Sequence, residues 1–115
     1  MHAEAQSADD TDWPQIVGLY DLLVRAEPSP VIELNRAVAI AMRDGPEAAL
    51  PLVERILGRG DLAEYQPAHA ARADLCRRVG RTADARAAYE RALELTQQEP
   101  ERRFLQARLH ELGGR

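Results

Sequence analysis

Lysine is absent from this sequence: all 15 basic residues are arginine. That bias is expected first of a high-GC coding sequence and only second of function. Cysteine is almost absent too. The single Cys76 rules out an intrachain disulfide and suits a reducing cytoplasm. Aromatic residues make up only 4%, and β-branched residues are few beside abundant alanine, which favours helix over sheet. No window approaches the roughly 18 consecutive apolar residues of a membrane span. Met1 to Asp12 is polar and lacks the apolar core of a signal peptide. Nor is there an excess of positive charge. A net charge of −4 and a pI near 5.4 argue against this segment gripping nucleic acid by itself, since neutralising phosphates needs surplus basic side chains. Chemistry-bearing motifs are also missing: there is no glycine-rich phosphate loop, nucleophile elbow or catalytic carboxylate pair. His2, His69 and His110 stand far apart, without metal-ligand spacing. A non-enzymatic segment with no metal and no cofactor is expected.

What remains is a helical pattern in a chain of 115 residues, one domain's worth. A polar, acidic leader over 1–11 precedes a helical domain over 12–115. The first helix is expected at 13–26, with Asp12 as N-cap and Pro14 in the first turn. Trp13, Ile16, Val17, Tyr20, Leu23 and Val24 form its apolar face. A second helix, 30–43, carries two stripes, Val31, Leu34, Ala37, Val38 and Ala41, and Ile32, Ala39 and Met42, as a helix between two neighbours should. Gly45 and Pro46 turn the chain into a third, 47–57, with Ala48, Ala49, Leu52, Val53, Ile56 and Leu57 as its apolar residues, where Pro51 predicts a kink or a late start. The fourth, 67–79, buries Ala68, the stem of Arg72, Ala73, Leu75, Cys76 and Val79. After Gly80, Thr82 is the expected cap of the fifth, 83–95, which buries Ala85, Ala88, Tyr89, Ala92 and Leu93. A loop over 96–100 leads to a sixth, 101–112, with Phe104, Leu105 and Leu109 inward and a charged outer face.

The pattern repeats. Tyr20 and Tyr89 lie 69 residues apart, two periods of roughly 34. Gly45 and Gly80 lie 35 apart, each followed by an alanine-rich stripe. Helix, glycine turn and helix at this period resemble the tetratricopeptide (TPR) repeat. The expected fold is all-α: a TPR-like array of about six antiparallel helices wound as a right-handed solenoid. Small residues at Ala73, Ala85 and Ala92 let paired helices approach, and Tyr89 fills the gap between units. The unit over 30–57 is looser, with Val53 where the aromatic would stand. The partner of the opening helix is missing or reduced to a helix-compatible stub at His2–Ala5, as expected of a domain with something upstream.

The order of motifs narrows the resemblance. It runs Asp12-Trp13-Pro14-Gln15-Ile16-Val17, Leu19-Tyr20-Asp21, Ser29-Pro30-Val31, and Leu34-Asn35-Arg36-Ala37-Val38-Ala39. His69-Ala70-Ala71-Arg72-Ala73, Arg77-Arg78-Val79-Gly80-Arg81, Ala88-Tyr89-Glu90-Arg91-Ala92-Leu93 and Glu101-Arg102-Arg103-Phe104-Leu105 follow. This string resembles the C-terminal extension of a group of bacterial extracytoplasmic-function (ECF) RNA polymerase sigma factors. The resemblance implies a cytoplasmic regulatory domain of a transcription-initiation factor. Promoter DNA would be bound by upstream domains, not by this segment. The implied partners are those upstream sigma domains, RNA polymerase, or a small YCII-like protein encoded nearby. A stand-alone TPR adaptor with an unrelated partner is the alternative.

In such an array a partner would lie along the first helices of the units. Asn35 and Arg36 sit there on the middle unit, and Asn can pair with a peptide backbone while Arg pairs with carboxylates. Asn35 could instead bond a neighbouring loop. His69, Asp74, Arg77 and Arg78 occupy the corresponding helix of the next unit. For His69, packing with one polar contact is the plainer role. For Arg72, Arg77, Arg78 and Arg81, the plainer role is a solvated face paired with Asp74 and Asp84; a partner binding there would be acidic.

Overall fold

The computed structural model describes residues 11–113, and among them the regular secondary structure is all α-helix, with no strand. Six helices follow one another: α1 (Trp13–Ala26), α2 (Pro30–Asp44), α3 (Pro46–Gly58), α4 (Gln66–Arg78), α5 (Thr82–Leu95) and α6 (Glu99–Gly113). The leader expected over 1–11 lies outside the described residues except for Thr11.

The helix ends follow from local chemistry. Asp12 accepts a hydrogen bond from the Gln15 N–H at 3.0 Å and caps α1, with proline in the first turn. Ser29 holds the same place before α2, more loosely, at 3.5 Å from the Ile32 nitrogen. Only Gly45 separates α2 from α3. Its φ of 103° and ψ of 163° lie where a side chain is strained, and Pro46 starts the next helix at once. The α4–α5 turn uses glycine differently. Gly80, at φ 89°, donates to the Arg77 carbonyl, and the Arg81 N–H reaches back to the Cys76 carbonyl, the two crossed bonds of a Schellman end. Thr82 is the first helical residue rather than the cap, since Arg81 precedes it without a side-chain capping bond. Helix α3 starts at Pro46 and runs through Pro51, which removes the option of a late start. Helix α6 begins at Glu99, so the expected 96–100 loop shortens to 96–98. Thr96 is buried there and donates from Oγ1 to the Ala92 carbonyl at 2.7 Å.

Packing runs from neighbour to neighbour. Each helix lies chiefly against those before and after it in the chain, most extensively α4 on α5 and α2 on α3. The core is one continuous layer through all six helices, from Val17 to Leu105. Ala37, Ala49, Ala68, Ala73, Ala85 and Ala92 have essentially no exposed surface, so they mark where helices come closest. Tyr89 is the largest fully buried side chain.

Five expected inward residues face out instead. Leu23, Val38, Met42, Ala48 and Phe104 are exposed. The reason is the same for Leu23 and Phe104. Helices α1 and α6 pack chiefly on one neighbour each, so a residue at the edge of the apolar arc stays uncovered. The Arg108 guanidinium lies over the Phe104 ring, 5.1 Å from its centroid. Conversely, Ile40 and Leu50 are buried without having been expected there.

Candidate interaction surface

Helices α2 and α4, the first helices of the two central pairs, flank a shallow groove of about 120 Å³. Val38, Ala41 and Met42 come from α2, and Ala71, Asp74, Leu75 and Arg78 from α4. Val38 and Met42 are each 41% exposed, unusual for large apolar side chains on a helix buried along its other faces. They stand four residues apart and therefore side by side. The Asp74 carboxylate bonds Arg77 and also lies 3.7 Å from Arg78 Nη1. The groove thus offers an apolar floor with one acidic and one basic group on its α4 wall.

The candidate residues distribute unevenly around it. Asp74 and Arg78 line the groove. Asn35 is exposed on the α2 stripe that continues to Val38 and Met42, and among the described residues its side chain makes no hydrogen bond. Arg36 turns toward α1 and pairs with Asp21 at 2.5 Å. It faces a second cleft of about 170 Å³, between α1, α2 and α3, together with Glu33, Arg55 and Arg59 over Val24, Leu52 and Ile56. Arg77 points toward α5, where its Nε donates to the Tyr89 hydroxyl at 3.3 Å. Hydrogen bonds to Asp74 and Tyr89 raise its pKa further. His69 Nε2 lies 2.8 Å from the Ala63 carbonyl; because a carbonyl only accepts, that nitrogen carries the proton and ties α4 to the turn at 61–64.

The basic cluster divides in two. Arg77 and Arg78 share Asp74, as above. Arg72 and Arg81 instead meet Glu54 of α3 at 3.2 and 2.9 Å, and Asp84 of α5 at 3.9 and 2.9 Å. This four-membered ring of alternating charge joins α3, α4 and α5 across the boundary between the central pairs. Hydrogen bonds to Asp84 and Glu54 raise the Arg81 pKa, so the group stays charged at any working pH. Glu54 could not be found from charge order alone, because it lies 27 residues from Arg81. Val38 and Met42 did carry a signal, a shared spacing with Asn35, but the same spacing also fits a buried stripe.

The remaining chemistry is quiet. Cys76 is fully buried, and burial pushes its thiol up, away from the reactive thiolate. Among the described residues no group of three or more His, Cys, Asp or Glu could hold a metal ion. No helix there is long and apolar enough to cross a membrane.

No family model matches this chain. No solved structure matches it significantly. A protein of Rhizobium meliloti (strain 1021), described as uncharacterized, is 42% identical over 113 residues. The match covers 98% of this chain and 26% of that protein. The chain therefore spans about a quarter of this relative's length.

Proposed function

We propose that this chain is the C-terminal regulatory domain of an ECF sigma factor, a TPR-like right-handed solenoid that acts by binding protein rather than by catalysis. The observation that carries the reading is the order of motifs from Asp12 to Leu105. Two further features support it. Glycine-turned helix pairs in series, each packed on its chain neighbours, are what a solenoid requires. The relative is about four times as long as the segment it shares, which leaves room for promoter- and polymerase-binding domains elsewhere in that protein.

On this reading the α2–α4 groove receives the partner, either the factor's own upstream domains, RNA polymerase or a small YCII-like protein in the cytoplasm. Val38 and Met42 would take an apolar side chain, and Asp74 and Arg78 would orient polar groups beside it. Promoter contact belongs to other domains, since this segment is net acidic.

The test is transcription in vitro by the natural full-length gene product with RNA polymerase. Met42→Glu should cut output or partner capture at least tenfold while the domain stays helical, because position 42 is exposed. Unchanged output from a folded Met42→Glu, Arg78→Glu double variant would remove the groove from the reading. A natural gene without sigma-type sequence would remove the sigma assignment.

A further inference from the structure

The side of α1 turned away from α2 is apolar and uncovered. Leu19, Leu22 and Leu23 are 54%, 59% and 46% exposed, and their spacing puts them on one face. Gly18 lies on the same face. Glycine inside a helix is a poor choice for its backbone entropy, and nothing within the fold demands it, because a Cβ added there would meet no atom within 4 Å. A small residue bordered by exposed leucines is the form of a helix–helix crossing, where one backbone approaches closely and large side chains close around it. At the edge of the face stands Arg25, exposed and, among the described residues, without a carboxylate partner.

We propose that this face is the docking site of an amphipathic helix from the same longer polypeptide. That helix would place a large apolar side chain over Gly18 and a carboxylate beside Arg25. The inference rests on the reading above that the chain works as part of a longer protein. Area decides between a tethered helix and a free partner. Three half-exposed leucines present on the order of 300 Å², the scale of the largest apolar patch on an ordinary monomer. A stable free complex or dimer buries about 800 Å² per partner. A patch this small holds its occupant when covalent linkage supplies an effective concentration of order mM. Residues 1–10 carry a single large apolar side chain, Met1, so they lack the stripe the face requires.

The test compares this 115-residue chain with the natural full-length product. Gly18→Leu should raise the melting temperature of the isolated chain by roughly 2–5 °C, since leucine is the better helix former and has open space there. In the full-length protein the same change should block the crossing and speed hydrogen exchange across α1 at least tenfold. Leu22→Arg should leave the isolated chain folded and unchanged in melting temperature, yet produce the same loss of α1 protection in the full-length protein. Equal effects of Gly18→Leu in both proteins would overturn the proposal. So would concentration-dependent dimerisation of the isolated chain that Leu22→Arg abolishes, which would assign the face to a second copy. A longer protein without sigma-type sequence whose α1 is nonetheless shielded would keep the docking and discard the sigma assignment. A gene encoding only this chain would overturn both.

Discussion

The two central helix pairs share a turn principle and differ inside. Both reverse at a glycine of positive φ, Gly45 in α2–α3 and Gly80 in α4–α5. Apart from alanine, α2–α3 buries Leu34, Ile40, Leu50, Val53 and Ile56, whereas α4–α5 buries Leu75, Cys76 and Tyr89. One pair holds together through many mid-sized aliphatic contacts. The other holds through close backbone approach at alanines and one large ring. The second design has less apolar area to spare, and around it lies the ring of Arg72, Arg81, Glu54 and Asp84 that ties it back to α3. The lesson is that one supersecondary form tolerates two packing strategies with opposite sensitivities, to truncation in one pair and to enlargement in the other.

The sharpest break in that comparison is Tyr89→Ala. Removing the one large filler of α4–α5 should cost about 3–5 kcal/mol, read as a fall in the urea midpoint, with the Arg77 guanidinium losing its phenolic acceptor as well. Next comes enlargement. Ala92→Leu should cost about 1–3 kcal/mol by forcing α4 and α5 apart, more than the ~1 kcal/mol of Ile56→Val in α2–α3; equal effects in thermal melts would erase the distinction between the pairs. Gly80→Ala should cost about 1–2 kcal/mol, since alanine is strained at φ 89°. Gly45→Ala should cost at least as much, because φ 103° with ψ 163° is a conformation almost confined to glycine, while the exposed Glu47 carboxylate 3.1 Å from the new Cβ can swing aside.

The smallest effect concerns pH at the α2–α3 turn. The Arg43 guanidinium bonds Asp44 and holds its carboxyl below the usual carboxylate range. A group with a depressed folded pKa adds stability above its unfolded pKa, and loses it as pH falls through the folded value. Both groups are solvent-exposed, so the effect is slight. Asp44→Asn should lower the melting temperature a little at pH 7 and not at all near pH 2. A difference that persisted at pH 2 would place its cause outside this ion pair.

Much of this architecture was legible beforehand, for a physical reason. Helix positions depend on local spacing, and Asp12, Pro30, Pro46, Gly45 and Gly80 punctuate the chain through backbone constraints that act within a few residues. The burial of Ala73, Ala85, Tyr89 and Ala92 followed from the same periodicity. The candidate surface was legible only in part. Asp74 and Arg78 share the groove, while Arg36 and Arg77 were parted from it by partners on other helices, Asp21 and Tyr89.

The sequence by itself determined that the chain is helical, where each helix begins and ends to within a residue or two, and which residues turn it. These are decided by dihedral preference, capping and amphipathic period, all local quantities. Only the tertiary structure decided that Glu54 joins the arginines, that Val38 and Met42 open into a groove, and that Leu19, Leu22 and Leu23 stand uncovered on α1. An apolar stripe states that a helix face needs cover. Which neighbour supplies that cover depends on how far each helix end projects past the next, and no local pattern in the chain encodes it.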